Sequence, residues 1–286
     1  MKFGEMEIFV VSDGRFRLDG GAMFGVVPKT LWSRRVAPDE RNRITLGLNC
    51  LLIRAVGKTL VVETGIGGKM DSKSSDIYGI DHRMTLLESL RRRGVAPEEV
   101  DFVINTHLHF DHCGGNTRFD GTGKPVPTFP KARYLVQRGE YEHAWKPTER
   151  DRASYLLENF APTAEGGQLE CLDGDGEIVA GVEVLRVPGH TRDQQCVRLT
   201  SGGRTAMFLA DLVPTTAHLP LPWMMGFDLY PLTTLEEKKK WIPQAVKGEW
   251  LCLFAHDPEV PAAFLREQGG RVVAEPAPDE DLITPN

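Results

Sequence analysis

Residues 106–116 read Thr-His-Leu-His-Phe-Asp-His-Cys-Gly-Gly-Asn, which sets four potential metal ligands, His107, His109, Asp111 and His112, within six residues. Imidazole and carboxylate in combination suit zinc and its first-row neighbours. The run just before them, residues 100–105, is short and apolar, as a buried strand would be. If the chain stays extended beyond it, the alternate residues His107 and His109 project to the same side. Asp111 and His112 then open a turn towards a helix, and Gly114-Gly115 keeps the backbone small beside them.

Three later residues share the same context. His190 follows Val187-Pro188-Gly189, Asp211 closes the apolar run 205–210, and His256 closes the run 251–255. A lone histidine at the end of a strand is ordinarily a structural or surface group. Five of the eight histidines at such ends, accompanied by two aspartates, argue against coincidence. His82, His143 and His218 lack that setting and read as surface residues or as supports for the site. Cys113 reads as a small packed residue rather than a nucleophile.

These residues need strands to aim them. An opening strand is expected at 7–11, ended by Ser12-Asp13-Gly14, and residues 15–43 mix glycine, aromatics and charge as a long ordered loop would. Strands at 46–53 and 58–62 are close enough for a hairpin. The spacing of Leu86, Leu87 and Leu90, with arginines 91–93 and Gly94 behind them, predicts a helix. A strand at 132–136 precedes a helix over 138–157 broken at Pro147. Strands follow at 182–187, 195–199 and 205–209. Then come a helix at 235–246 disturbed by Pro243, a strand at 250–254 and a late helix at 261–268. That order favours an α/β four-layer sandwich, two sheets face to face with helices outside, in a single domain spanning 1–286 with a loose tail from 275 to 286.

Composition narrows the function. The chain has 286 residues, 41% of them hydrophobic, enough for a sizeable core. Its net charge of −6 and lack of a basic run disfavour general nucleic-acid binding. No apolar stretch approaches the roughly 18 residues that span a bilayer, and residues 1–5 do not begin a secretory signal. The five cysteines are scattered without a Cys-x-x-Cys pair, so neither a disulfide framework nor a thiolate zinc knuckle is expected and the cytoplasm is the natural compartment.

The run His-Leu-His-Phe-Asp-His resembles the HxHxDH signature of the metallo-β-lactamase superfamily. Gly189-His190-Thr191, Ala210-Asp211 and Ala255-His256-Asp257 resemble that family's later metal motifs. The likeness runs from the Ser12-Asp13-Gly14 turn to His256. It implies the αββα sandwich and two divalent ions, zinc before iron, manganese or cobalt. His107, His109 and His190 would hold the first ion, Asp111, His112 and His256 the second, with Asp211 bridging. A hydroxide shared by the two would attack the substrate, and Asp111 could pass a proton to the leaving group. Many relatives carry Asp-Thr-Gly where this chain has Glu63-Thr64-Gly65. Glu63 would support a ligand from one methylene further out, which can alter ligand orientation or metal preference.

Within the superfamily the plan looks most like the acyl-homoserine lactonases and the methyl parathion hydrolase group. The apolar stretch 218–227 should overhang the site and Met23-Phe24 could form the opposite wall, giving Met23, Phe24, Trp223, Met224, Met225 and Phe227 as candidate substrate contacts for a small ester or lactone. The competing reading packs them into the loop or a homodimer interface, since relatives are often dimers. Such lactonases commonly have a tyrosine three residues after the bridging aspartate. This chain has Pro214 there, and Tyr230 is the expected replacement. The alternatives are a phosphotriester hydrolase, a glyoxalase II-like thioester hydrolase, an iron-dependent persulfide dioxygenase and a non-catalytic metal-binding module. The acidic stretch 274–281 disfavours glutathione recognition, and the full ligand set disfavours the last two.

Overall fold

Alternation along the strand Arg43–Ala55 decides how the layers form: Leu51 and Ile53 enter one core, Cys50 and Leu52 another. The neighbouring strands repeat the pattern, with Ile8 and Val10 against Phe9 and Val11, and Leu60 and Val62 against Val61. A sheet with both faces apolar must be covered on both. The computed structural model describes residues 1–278 and Leu282, and in it each face is met.

Two seven-stranded sheets are present among the described residues. The first runs in the order Lys2–Phe3, Met6–Asp19, Arg43–Ala55, Lys58–Val62, Phe102–Ile104, Arg133–Gln137 and Leu169–Leu172. The second runs Gly176–Val179, Val182–Arg186, Gln195–Ser201, Arg204–Phe208, Leu251–Leu253, Ala262–Gln268 and Arg271–Pro276. Their inner faces share the main core, to which Trp241, Ile242 and Ala245 of the helix Pro231–Lys247 also belong. Leu86 and Leu90 of the helix Leu86–Arg92 cover the outer face of the first sheet. This is the expected αββα sandwich.

Strand direction gathers the ligands. Arg204–Phe208 pairs parallel with Leu251–Leu253, while Val182–Arg186 runs antiparallel to Gln195–Ser201, which runs antiparallel to Arg204–Phe208. The three strands preceding His190, Asp211 and His256 therefore end at one edge. In the first sheet Lys58–Val62 pairs parallel with Phe102–Ile104, so Glu63 and the 106–112 segment also leave from a common edge. Hydrogen bonds between the sheets bring the two edges together. Gln195 donates from its backbone to Thr106 O (2.9 Å) and from its side chain to Asn105 O (2.8 Å). Gly47 N donates to His256 O, Asn49 N to Ala255 O, and the Asn49 amide to Phe254 O and Asp257 O.

Several sequence expectations need correction. The opening strand does not stop at Ser12-Asp13-Gly14 but continues to Asp19, paired with Arg43–Ala55 across a register shift between Ser12 and Arg15. That bulge puts the alternation of Arg15-Phe16-Arg17-Leu18-Asp19 out of phase with that of the strand's first half, so the two halves do not read as one strand. The remainder of the supposed 15–43 loop contains two short helices, Gly20–Phe24 and Lys29–Trp32. The helix expected over 138–157 ends at Trp145, and a second, Leu157–Glu165, begins after a turn. The late helix at 261–268 is a strand, Ala262–Gln268, returning through Gly269-Gly270 into Arg271–Pro276. Both glycines have positive φ (57° and 72°), the requirement of the tightest hairpin turn. The supposed tail is therefore paired at Glu275 and Pro276, and Leu282 is buried with its carbonyl accepting from Val10 N. Residues 279–281 and 283–286 of that expectation lie outside the described residues. No helix among the described residues is long and apolar enough to cross a membrane.

Lys238, fully buried on the helix Pro231–Lys247, anchors the loop beside the ligand edge. Its Nζ donates to His218 O (2.6 Å), Pro220 O (2.8 Å) and Trp223 O (2.9 Å). Lys238→Met should leave three carbonyls poorly paired and cost about 2–3 kcal/mol of stability, read as a lowered urea midpoint with unchanged slope. An unchanged midpoint would show that the loop holds without this anchor.

Candidate metal centre

The backbone around the ligand edge is close-packed and locally strained. A Cβ on Gly114 would lie 2.1 Å from Ile66 O, and one on Gly115 2.3 Å from Thr64 O, so both must be glycine for the two loops to touch. Glu63 and Ala210 hold φ of 64° and 48°, conformations that L side chains seldom adopt. One flanks the 106–112 segment and the other immediately precedes Asp211, as strain concentrated at a functional site would.

All seven sequence candidates converge. The ligand atoms of His107, His109 and His190 lie within 4.8 Å of one another, as do those of His107, His112 and Asp211, and of Asp111, His112 and His256. Asp211 stands between the groups: its Oδ2 is 3.2 Å from His190 Nε2 and 3.6 Å from His112 Nε2, while its Oδ1 is 3.3 Å from His256 Nε2. Asp111 Oδ2 lies 3.6 Å from His256 Nε2 and 3.8 Å from His112 Nε2.

Hydrogen bonding behind the rings tests whether cations fit. His256 Nδ1 faces Gly47 O at 2.9 Å and must donate to it. His190 Nδ1 faces the Asp228 carboxylate at 3.0 Å, and His112 Nδ1 faces Glu63 Oε2 at 3.6 Å. A neutral imidazole whose Nδ1 carries the proton presents a lone pair at Nε2. His256 Nε2 and His112 Nε2 nevertheless sit 3.0 Å apart, and His190 Nε2 lies 3.1 Å from His109 Nδ1. Two ring nitrogens this close cannot both present free lone pairs, so either a proton or a metal ion must lie between each pair. The buried Nε2 of His107 and Oδ1 of Asp211 have no hydrogen-bond partner, as expected of metal-facing atoms. Four carboxylates, Glu63, Asp111, Asp211 and Asp228, crowd the five imidazoles, and two divalent ions would balance them.

Proton affinities follow the same arrangement. Burial first, then the neighbouring imidazoles, pushes His107 and His109 well below the ordinary histidine range, which keeps them neutral. Burial also opposes charge on His112 and His190. On His112 it is outweighed by Asp211, Asp111 and Glu63, and on His190 by Asp211 and Asp228, so both are raised. Burial disfavours the Asp211 carboxylate, yet His112, His190 and His256 hold it well below the carboxylate range.

Glu63 sits where the sequence places it, behind a ligand. Its Oε1 accepts from Thr106 N (2.8 Å), so it orients the ligand segment as well as facing His112. Asp228 went unrecognised in the sequence; an acid within the apolar stretch 219–229 was its only signal. The backbone fixes it further, since Leu229 N donates to His190 O and Tyr230 N to Gly189 O.

A cavity of about 380 Å³ opens onto His109, Asp111, His190, Asp211 and His256. Of the expected substrate contacts, Met23, Met225 and Phe227 line it. Phe24, Trp223, Met224 and Tyr230 do not. Phe24 is fully buried, stacked between Trp32 (5.3 Å) and His218 (4.6 Å). His218 itself is buried, with Nε2 on Met23 O, so of the two expected readings, surface residue or support, the structure favours the support. Trp223 faces a separate groove of about 1540 Å³ that none of the seven ligand candidates lines. The backbone carbonyl of Met224 packs near Gly25, and Tyr230 is exposed ahead of the helix Pro231–Lys247. In their place the cavity takes Leu18, Tyr78, Phe110 and Arg150, from segments that sequence patterning left as loop or helix.

Comparison with known proteins agrees with this geometry. The sequence profile of the metallo-beta-lactamase superfamily matches residues 44–269. An N-acyl homoserine lactonase of Bacillus cereus is 28% identical over 248 residues, 82% of this chain and 88% of that protein. One from Bacillus thuringiensis is 30% identical over 229 residues, 76% of this chain and 83% of that protein. Among solved structures, a probable metal-dependent hydrolase from Staphylococcus aureus superimposes with a TM-score of 0.89 at 30% identity, covering 98% of this chain and 99% of that one. The dizinc quorum-quenching lactonase AidC shares the fold at a TM-score of 0.81 and 20% identity, over 98% of this chain and 97% of its own.

Two outcomes test the centre. Asp228→Asn should weaken metal retention by about 10–100-fold, measured by competition with a chromophoric chelator; unchanged affinity would mean that Asp228 does not hold His190 in place. Protons compete for the raised His112 and His190, so metal affinity should climb as pH rises from about 5 to about 8. A flat profile would contradict the ligand assignment.

Proposed function

The chain belongs to the metallo-beta-lactamase superfamily, and on that premise we propose that it is a hydrolase holding two metal ions, zinc foremost, that opens a lactone or cleaves an ester of a small, partly apolar molecule. N-acyl homoserine lactones, the substrates named for its relatives, are the favoured class. The observation that carries this reading is the convergence of seven candidate ligands, five of which line a cavity with apolar walls.

Bound there, two divalent ions would supply a nucleophile from water at neutral pH and polarise the scissile carbonyl. The chain's own residues do the rest. Asp111 is the most accessible of the ligand carboxylates, its side chain 11% exposed towards the cavity against 6% for Asp211. It can take the proton of the attacking water and return it to the departing alkoxide. Leu18, Met23, Phe110, Met225, Phe227 and Leu229 exclude water and accept an alkyl chain.

Tyr78 takes the part expected of Tyr230. It is the one phenol among the described lining residues, its ring packs on Phe110 at 4.9 Å, and its hydroxyl has no hydrogen-bond partner among the described residues. Burial and the nearby Asp111 raise its proton affinity, so it remains a neutral donor, suited to a substrate oxygen. The five free cysteines fit a reducing cytoplasm, and a homodimer is the assembly we expect.

Metal analysis of the purified protein should find two ions per chain, and a panel of lactones, aryl esters, phosphotriesters and thioesters should rank lactones first. Asp111→Asn should cut turnover by about 10²–10⁴-fold, and His256→Ala should lose the second ion together with activity. Wild-type rates in both variants would sink the dinuclear reading. Tyr78→Phe should lower kcat/KM about tenfold while leaving metal content intact.

A further inference from the structure

The cavity contains one cation from the protein. Arg150 is the only lysine or arginine among the described lining residues, and it stands at the open end, exposed, while the ligands are buried beneath it. Its Nη2 donates to Gly226 O (2.6 Å) and Asp228 O (3.4 Å), the carbonyls on either side of the lining residue Phe227. These bonds set the guanidinium at a fixed offset from the metal centre, because Asp228 also holds His190.

What Arg150 lacks is an acidic partner: no ion pair forms to it among the described residues. Asp151 is adjacent and lines the same cavity, but its oxygens accept from Thr148 N and Oγ1 and contact His143 Nε2 at 2.5 Å. Of the five N–H groups of a guanidinium, those on Nε and Nη1 remain uncommitted. An acceptor on a substrate entering between Phe110, Met225 and Phe227 would lose its water and need a replacement donor. Asp111 belongs to the candidate metal set and Asp151 is already bonded, so the acceptor left for Arg150 is one on the substrate, which in an N-acyl homoserine lactone, the favoured class, is the amide carbonyl.

We infer that Arg150 determines specificity by donating to a carbonyl set several bonds from the reacting one, so that the cavity selects lactones bearing an amide on the ring over plain alkyl lactones. This rests on the lactone reading above and adds to it the residue that chooses among lactones. Arg150 acts on the substrate and takes no part in the bond-breaking step.

The test compares wild type with Arg150→Met, which keeps an apolar stem, on N-hexanoyl homoserine lactone and on an alkyl lactone of equal length. Zinc content and melting temperature are measured alongside. The expected result is a loss of about tenfold in kcat/KM for the amide lactone only, the size of one charge-assisted hydrogen bond, with metal content unchanged. Equal losses on both substrates would make Arg150 a strap for the 226–228 loop and overturn the inference, as would no loss on either. If wild type opens neither lactone, the lactone reading fails separately. Calorimetric titration with the non-hydrolysed lactam analogues then decides: a preference for the amide-bearing lactam that vanishes in Arg150→Met supports the role of Arg150, and equal affinities refute it.

Discussion

The site depends on hydrogen bonds to main-chain carbonyls that cross from one sheet to the other at the edge where the candidate ligands lie. Gln195 reaching Asn105 and Thr106, and Gly47 and Asn49 reaching the segment 254–257, fix the distance between the strand ends. Apolar packing alone could not do this. It is non-directional and holds two sheets together at roughly constant spacing while leaving their relative slide loosely set. Directional bonds to carbonyls adjoining the candidate ligands remove that freedom, so His109 Nδ1 meets His190 Nε2 at 3.1 Å and the ligand atoms of His107, His109 and His190 lie within 4.8 Å of one another.

Such convergence is unfavourable without a cation. Carboxylates and lone-pair nitrogens are taken out of water and turned towards one another, and the fold offsets this only partly, by pairing the outer faces of the rings with Gly47 O, Asp228 and Glu63. Gly47 O and Asp228 also fix which nitrogen of His256 and His190 carries the proton. The left-handed backbone at Glu63 and Ala210 belongs to the same design: it turns the chain sharply enough to bring the side chains inward, and the surrounding contacts hold it there.

The cluster of seven candidate ligands was legible in the sequence because each is a polar residue breaking an apolar run, a pattern that local reading detects. The late hairpin was not. Ala262–Gln268 alternates too weakly to separate strand from helix, and the Gly269-Gly270 turn was the stronger signal. The bulge at Ser12 to Arg15 hid a long strand by inverting its alternation midway. The substrate wall was half legible. Apolar stretches around Met23 and 218–227 were recognisable, but which side chains face the metals depends on how the loops fold back. Phe24 and Trp223 were claimed by packing on His218 and by the other groove, and Tyr78 and Arg150 arrive from segments distant in sequence.

Phe227 and Asp228 are adjacent residues with different duties, one lining the cavity and the other gripping His190. A displacement of this loop at Phe227 passes through one peptide unit to the carboxylate that holds His190, a candidate ligand. With an ion held there, occupancy of the cavity and ion retention would be thermodynamically linked, each altering the other by the same factor. A residue change that widens the cavity at Phe227 therefore acts on the position of Asp228, and through it on the His190 ring, as well as on the wall.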